Sequence, residues 1–207
     1  MRVDGWFGPA TADAVRAAQR KHGLVVDGIV GPKTLATLRA HQREPRLLGH
    51  QDLVCCAHDL GVPIAAIRAV VEVESRGAGF LADGRPVILY ERHIMYRRLR
   101  DRGLDAEALR ARHPDLVQPT RGGYVGGAAE HARLDAARRI HRAAAIESCS
   151  WGLFQIMGFH WQALGYASAD LFESLNSTTE GYQLQAFALF VRANPAIHHA
   201  LRAGAWA

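Results

Sequence analysis

The segment that decides the fold runs from Pro63 to His93 and reads PIAAIRAVVEVESRGAGFLADGRPVILYERH. Pro63 is typical of the first turn of a helix, and the apolar residues after it recur at helical spacing as far as Glu74. Two apolar, β-prone runs then flank Asp83-Gly84, a dipeptide favoured in tight turns, which predicts a β-hairpin. The chain therefore places a helix that ends in a carboxylate directly before a small β element.

Glu74 lies on the apolar face of this predicted helix. Ile67, Val70, Val71 and Glu74 follow the i, i+3, i+4, i+7 rule. Partial desolvation at such a place raises the pKa of a carboxyl group, and a carboxyl that keeps its proton near neutral pH can act as a general acid. The alternative is a carboxylate in the last helical turn that reaches back to solvent.

The rest of this region is predicted to be mostly helical, with a flexible glycine-rich loop. We expect a mostly α fold in which the two most apolar stretches, 150–165 and 173–194, form core helices. The other predicted helices are 51–60, 92–102, 105–112 and 130–147, and the predicted loop is 119–128.

The first forty residues contain an internal repeat. VDGWFGPATADAVRAAQ from Val3 is echoed by VDGIVGPKTLATLRAHQ from Val26, with a period of 23 residues. In each copy Asp-Gly indicates a turn and Gly-Pro indicates the start of a helix. Each helix carries a narrow apolar stripe, and we expect the two stripes to pack against each other. The stripes are Val15, Ala18 and His22 in the first copy and Leu35 with Leu38 in the second.

A change of pattern separates this repeat from the larger region. Residues 43–50, REPRLLGH, mix charge, proline and glycine and are interpreted as a linker. The predicted organisation is therefore a small module over 1–42, the linker, and a larger domain over 51–207.

Composition restricts the class of protein. The 207 residues carry 25 Lys and Arg against 20 Asp and Glu, and this net charge of +5 suits a polyanionic partner. The three cysteines have no metal-ligand spacing and are interpreted as reduced thiols, so we expect no metal and no cofactor. The start, MRVDGWFGPAT, does not resemble a signal peptide and no long apolar run occurs, so neither standard secretion nor a membrane span is expected.

The two DGxxGPxT units resemble the small helical peptidoglycan-binding domain found in many bacterial and phage wall hydrolases. Members of that family usually begin with a further helix, so the resemblance implies that 1–42 is a partial domain. The alternative is that both turns are only structural elements of a helical cap.

Two longer motifs carry a second resemblance. VEVESRGAGFLADGRPVILYERH and IESCSWGLFQIMGFHWQALGY resemble the N-acetylmuramidase domain of phage endolysins, over about residues 51–206. The resemblance implies a lysozyme-like α+β fold and hydrolysis of the bond between N-acetylmuramic acid and N-acetylglucosamine, with Glu74 in the place of the catalytic acid. In that family the domain runs on past LRAGAWA, which implies a C-terminal truncation.

The second carboxylate has two candidates. Asp83 lies at the predicted hairpin turn and could be a base or a charge stabiliser, but Asp before Gly is also an ordinary turn choice. Glu91 ends the second predicted strand and could equally be a salt-bridge anchor beside Arg92 and His93. A carboxyl separation of about 5 Å would indicate retention of configuration, and one of about 6.5 to 9.5 Å inversion.

Four more residues are candidates for sugar binding. Gln155 can donate and accept hydrogen bonds, and Trp151 offers an apolar face to a pyranose ring, whereas the alternatives are helix capping by Ser150 and core packing by Trp151. Tyr124, in the glycine-rich loop, could lie over the substrate or cover the core. Glu147, in a second Glu-Ser pair, is a weaker rival for the acid because no hairpin follows it.

The predicted function is a peptidoglycan hydrolase, an endolysin that cleaves the muramic acid to glucosamine bond. A lytic transglycosylase acting on the same bond and a murein-binding protein without catalysis are the alternatives. No nucleic-acid-binding signature is visible, so the expected partner is bacterial peptidoglycan, bound by a monomer without stable membrane insertion. The enzyme is expected to collect in the cytoplasm of an infected or prophage-carrying bacterium and to act on murein in the periplasm.

Overall fold

The computed structural model describes residues 6–40, 45–74 and 78–204. The N-terminal module contains α1 (Pro9–Lys21) and α2 (Pro32–Ala40). The larger region contains α3 (His50–Leu60), α4 (Ile64–Glu74), β1 (Ile88–Tyr90), α5 (Arg92–Asp101), α6 (Ala106–Arg112), α7 (Ala129–Glu147), β2 (Cys149–Trp151), β3 (Ile156–Met157), a 3-10 turn (Gly158–His160), α8 (Ala169–Asn176), α9 (Glu180–Ala193) and α10 (Pro195–Ala203). The mostly helical fold with a small β element that the sequence predicts is confirmed.

The two repeat units of the module meet through a buried polar side chain. Gln19, on α1, is fully buried; its amide nitrogen donates to Asp27 Oδ1 (2.8 Å) and Thr34 Oγ1 (3.1 Å), and its carbonyl accepts from Gly28 N (2.9 Å). Because each of these groups loses water on burial, the complete set of partners fixes the second Asp-Gly turn against α1.

The expected pairing of two apolar stripes in the module is wrong for the second copy. Leu35 and Leu38 are exposed, whereas Thr34 and Thr37, one position earlier in each case, are buried. Val15, in the first copy, is buried as expected. Thr34 Oγ1 accepts a hydrogen bond from Gln19 of α1, so a polar contact between the two helices takes the place of the expected apolar one.

The sheet is assembled from distant segments. β1 pairs antiparallel with β2, and β2 pairs with β3, in the order β1-β2-β3. The predicted hairpin around Asp83-Gly84 is reduced to one isolated bridge, between Phe80 and Pro86. The predicted helix over 150–165 is wrong, because its first half forms β2, a turn and β3. Periodicity does not separate a short buried strand from a buried helical segment.

One face of this sheet forms part of the core. Ile88 and Tyr90 of β1 lie opposite Trp151 and Cys149 of β2, and all four are buried. Because side chains alternate along a strand, the residues between them face the other side. The sheet therefore separates the packed core from a face that carries polar groups.

The other predicted core helix, 173–194, is divided in two. α8 ends at Asn176, and Thr179 caps α9 by accepting a hydrogen bond from Tyr182 N (3.2 Å). A threonine hydroxyl at this position satisfies a backbone N–H that has no helical partner, which explains why a new helix begins here. Among the described residues no single helix is long and apolar enough to cross a membrane; α3 and Ile64–Val73 reach that composition only as a pair bent by 117°.

The N-terminal module and the described part of the predicted linker pack on the larger region. Leu24 forms a β-bridge with Gly49, and Gly23 O accepts from His50 N (3.0 Å). The Arg46 guanidinium lies 4.0 Å from the centre of the Phe80 ring. A cavity of about 330 Å³ separates the second repeat unit from one side of α4. The segment that joins the two parts is therefore held by specific contacts over its described residues.

Candidate active site

The helix that carries Glu74 is packed as its pattern predicts. Ile67 and Val71 are buried in the core, and Glu72 is exposed. Glu74 is the last residue of α4, three positions after Val71 and thus on the same side of the helix. Its side chain and residues 75–77 lie outside the described part of the chain. The role of Glu74 as the acid therefore stays a prediction.

The sheet brings together candidates from two distant motifs. Ser150 lies opposite Leu89 in the register, and Glu91 N donates to Ser148 O (2.8 Å). Glu91 directly follows the last residue of β1, and Ser148 directly precedes the first residue of β2. The strand pairing therefore brings the end of β1, where Glu91 lies, beside the start of β2, although Glu91 and Ser150 are 59 positions apart in the sequence.

The oxygen and the nitrogen of the Gln155 side-chain amide both make hydrogen bonds. Ser150 Oγ donates to Gln155 Oε1 (2.6 Å), and Gln155 Nε2 donates to Gly152 O (2.8 Å). Its φ of +49° is the one positive value for a residue other than glycine in the described chain. Such a conformation costs free energy in a residue with a Cβ and persists where the surroundings over-determine it, often at functional sites. The exposed amide is thus held in one orientation.

Glu91 is held by groups from two elements. Tyr124 Oη donates to Glu91 Oε2 (2.8 Å), and His93 Nδ1 lies 3.0 Å from the same oxygen. The Glu91 side chain is 16% exposed. Burial lowers the pKa of His93, although the Glu91 charge opposes that shift. Desolvation and the hydrogen bond to Glu91 both raise the pKa of Tyr124. The carboxylate is thus partly desolvated but still open to the surface.

The glycine-rich loop, residues 119–128, is organised by a glutamate that the sequence analysis did not select. Glu130 Oε1 accepts from Val125 N (2.8 Å) and Gly126 N (3.0 Å), and its Oε2 accepts from Tyr90 N (3.2 Å). Burial alone would raise the pKa of Glu130, but these backbone hydrogen bonds and the Arg133 charge outweigh it and hold the pKa below the usual value. The loop that carries Tyr124 is therefore fixed at its C-terminal end.

Arg92 fixes the other end of this loop. Its Nε donates to Thr120 O (3.2 Å), and a terminal nitrogen donates to Arg121 O (3.0 Å). Arg92 thus holds the loop, and of the two residues that follow Glu91 it is His93 that lies against the carboxylate, together with Tyr124.

Asp83 lies in a different environment from Glu91. Its side chain is 43% exposed, and Arg85 donates to it from Nε (3.0 Å), from a terminal nitrogen (2.6 Å) and from the backbone (3.0 Å). The hydrogen bonds from Arg85 lower the pKa of Asp83. Asp83 precedes β1, whereas Glu91 follows it, and the four extended steps from Val87 to Glu91 alone span about 13 Å. The two candidates for the second carboxylate therefore lie toward opposite ends of the strand.

Two residues considered at the sequence level belong to the core. Trp151 is 1% exposed and its Nε1 donates to Ile146 O (3.1 Å), so the packing alternative is correct and the ring offers no free face to a sugar. Glu147 is buried, and its Oε1 accepts from Arg102 (2.7 Å) and from Trp161 Nε1 (2.9 Å). Glu147 thus joins Arg102 to Trp161 inside the fold, which is the arrangement of a structural anchor.

The described residues contain no group of three or more His, Cys, Asp or Glu side chains that could hold a metal ion. The groups that the described residues present at the candidate site are carboxyl, hydroxyl and amide groups. Such a set suits proton transfer to a sugar oxygen and hydrogen bonding to sugar hydroxyl and N-acetyl groups.

Comparison with known proteins shows which families the chain resembles. A family model described as N-acetylmuramidase matches residues 63–207, and a peptidoglycan binding domain model matches residues 2–38. The crystal structure of a Burkholderia AP3 phage endolysin is similar over 100% of this chain and 78% of its own, with a TM-score of 0.94 and 55% sequence identity. A search of curated protein sequences gave no significant match.

Proposed function

The chain belongs to the N-acetylmuramidase family, and from this premise we propose how its own residues perform the reaction. It is a peptidoglycan hydrolase of the phage endolysin type, with a peptidoglycan-binding domain before a lysozyme-like muramidase domain. Its substrate is the glycan strand of the bacterial wall, and the bond that breaks joins N-acetylmuramic acid to N-acetylglucosamine.

Glu74 is the general acid in this proposal. It ends the helix whose Ile67 and Val71 are buried, on the side of the helix that those two residues occupy. A carboxyl at the edge of an apolar surface holds its proton to a higher pH than one in water. Glu74 then protonates the glycosidic oxygen as the bond to the anomeric carbon breaks, and the leaving sugar departs as an alcohol.

Glu91 is the second carboxylate in this proposal. The observation that supports it is the pair of contacts from Tyr124 and His93, which orient a carboxylate that is only 16% exposed at the end of β1. As an anion, Glu91 stabilises the positive charge that develops at the anomeric carbon, or activates the water that attacks it. Asp83 is assigned to the turn, because Arg85 occupies its oxygens.

Sugar recognition is assigned to Ser150, Gln155 and Tyr124. Gln155 is exposed and oriented through Ser150, so its amide can donate to or accept from a hydroxyl or N-acetyl group. Tyr124 is 45% exposed and brings an aromatic ring beside Glu91. Aromatic rings of this kind cover the apolar face of a pyranose.

The experiment that tests the proposal compares wild type with Glu74→Gln on purified peptidoglycan, with new reducing ends counted and fragments identified by mass. Hydrolysis yields a muramic acid reducing end, whereas 1,6-anhydro products would indicate a transglycosylase. The matched control is Glu72→Gln, because Glu72 is an exposed glutamate on the same helical turn. We expect E72Q to release fragments at the wild-type rate and folded E74Q to release none.

We also propose that the protein is a monomer and that it acts without nucleic acid and without stable membrane insertion. We place its accumulation in the cytoplasm of the infected or prophage-carrying cell, before it reaches murein. In support, Cys55, Cys56 and Cys149 are free thiols, which suits synthesis in a reducing compartment. Cell fractionation tests the location, and sedimentation tests the monomer. Recovery in the periplasm of cells without a membrane pore would contradict the proposed location.

A further inference from the structure

Glu180 connects three separate parts of the chain. It is fully buried at the start of α9, and its Oε2 accepts from Lys33 Nζ of the N-terminal module (2.6 Å) and from Leu48 N (2.7 Å). Its other oxygen, Oε1, accepts from Gly79 N (2.9 Å). Gly79 lies five residues after Glu74, so one carboxylate joins the binding module to the segment that follows the helix of the proposed acid.

Gln183, three residues after Glu180 on α9, contacts the same segment at the carbonyl group of Gly79. Its Nε2 donates to Gly79 O (3.2 Å), and its Oε1 accepts from Leu153 N (2.7 Å), in the turn between β2 and β3. A Cβ at Gly79 would collide with Gln183 Oε1 and lie 2.8 Å from Glu180 Cγ. The close approach of α9 therefore requires glycine at position 79.

Lys33 is the cation in this arrangement. Burying a carboxylate costs free energy unless the group is paired and hydrogen-bonded, and Glu180 has both kinds of partner. The Lys33 side chain is 25% exposed, so it lies at the edge of the contact between the module and α9. In the second repeat unit it directly follows Pro32, where α2 begins.

From this geometry we infer that Lys33 and Glu180 are positioning residues for catalysis. The peptidoglycan-binding module then supports the active site in addition to binding the wall. The ion pair holds Glu180 against Gly79 N, and Gly79 is the second described residue after Glu74 along the chain. The inference rests on the proposed role of Glu74. It assigns to Lys33 an effect on turnover that a surface used only to bind the wall would not have.

The test uses the full chain and short soluble glycan fragments of peptidoglycan without stem peptides, with kcat and KM measured per folded molecule. Lys33→Met is expected to lower kcat about tenfold with KM changed less than about twofold, because small displacements of reacting groups slow the chemical step strongly. Lys33→Arg, which keeps the charge, is expected to recover most of the activity. If K33M does not fold, Lys33→Gln replaces it under the same criterion.

Val15→Ala is the matched control, because it weakens the buried face of the same module without touching Glu180. We expect V15A to lower the melting temperature while it keeps the wild-type kcat. The inference is overturned if kcat per folded molecule on the soluble fragments is unchanged in K33M, whether or not KM changes. Wild type and E74Q are assayed beside these variants: activity in E74Q contradicts the proposed acid, whereas a normal K33M beside an inactive E74Q contradicts only the role of Lys33.

Discussion

The hydroxyl group of Tyr124 donates a hydrogen bond to Glu91 Oε2 over 2.8 Å, so the glycine-rich loop rests directly on the proposed second carboxylate. Glycines 122, 123, 126 and 127 of this loop all have positive φ, and its ends are fixed by Arg92 and Glu130. The backbone conformation of these glycines thus shapes the loop, and contacts with Arg92, Glu91 and Glu130 hold it in place. Its aromatic residue lies where the substrate would meet Glu91.

Tyr124→Phe removes only this hydrogen bond. We expect kcat/KM on peptidoglycan to fall about fivefold, because a hydrogen bond to a charged acceptor contributes to the orientation of Glu91 but does not create the carboxylate. The unfolding free energy should change by no more than about 0.5 kcal/mol, because Tyr124 is largely exposed. Steady-state kinetics together with urea unfolding check both expectations. An unchanged kcat/KM would show that the loop contact is not used in catalysis.

Glu91→Gln and Asp83→Asn separate the two candidates for the second carboxylate. We expect E91Q to lower kcat by about a hundredfold or more, because the charge that stabilises the developing cation is lost. D83N should retain activity within about threefold, because Asp83 serves a turn at the other end of the strand. Initial rates on purified peptidoglycan at saturating substrate measure both. The reverse order of effects would reassign the role to Asp83.

Glu130 makes stability depend on pH. Its folded-state pKa lies below the ordinary value of 4.5, so its stabilising contribution is present above that pH and is lost as the pH falls through the folded-state pKa. The wild-type unfolding free energy should therefore decrease below about pH 4.5 more steeply than that of Glu130→Gln. At neutral pH E130Q should be less stable by about 3 kcal/mol, because a buried ion pair with Arg133 is broken.

Urea unfolding of wild type and E130Q at a series of pH values measures this difference. Other carboxyl groups contribute equally to both proteins, so the difference between the two curves isolates Glu130. Parallel curves from neutral to acidic pH would contradict the assignment.

Trp151→Phe tests the assignment of Trp151 to the core. The substitution leaves a gap and removes the donor for Ile146 O, so the unfolding free energy should fall by about 2 to 4 kcal/mol. KM per folded molecule should stay unchanged, because the indole does not reach the surface. A raised KM with unchanged stability would mean that Trp151 contacts the sugar after all.

Local patterns in the sequence predicted those features that depend on neighbouring residues. The helix before Glu74, the second repeat turn and the starts of most helices follow from spacing, proline and capping chemistry, whereas the first repeat turn, Asp4-Gly5, lies outside the described residues. The partner of β1 did not follow, because β2 lies about 60 positions away and a three-residue strand carries too little pattern to identify its register. The inward orientation of Trp151 is a consequence of that register.

The polar residues that organise the site were missed for a related reason. Glu130, Glu180 and Gln183 bond to backbone groups that lie up to 104 positions away, and a backbone N–H leaves no signal in the sequence. In the sequence alone, these three residues do not differ from other polar residues in helices. In the N-terminal module, the polar contacts of Gln19 replace the apolar packing that the sequence pattern predicts, because Asp27 and Thr34 reach Gln19 only in the folded state.

The most direct test of the account compares Glu74→Gln on two substrates: peptidoglycan, whose sugar leaving group needs a proton, and a dinitrophenyl glycoside of the same glycan, whose leaving group does not. A general acid contributes about a hundredfold or more to the first reaction and little to the second. The account predicts that E74Q loses turnover of peptidoglycan by at least about that factor but retains the dinitrophenyl reaction within about tenfold, while E72Q resembles wild type on both. Equal loss on both substrates, or full activity of E74Q on peptidoglycan, would contradict it.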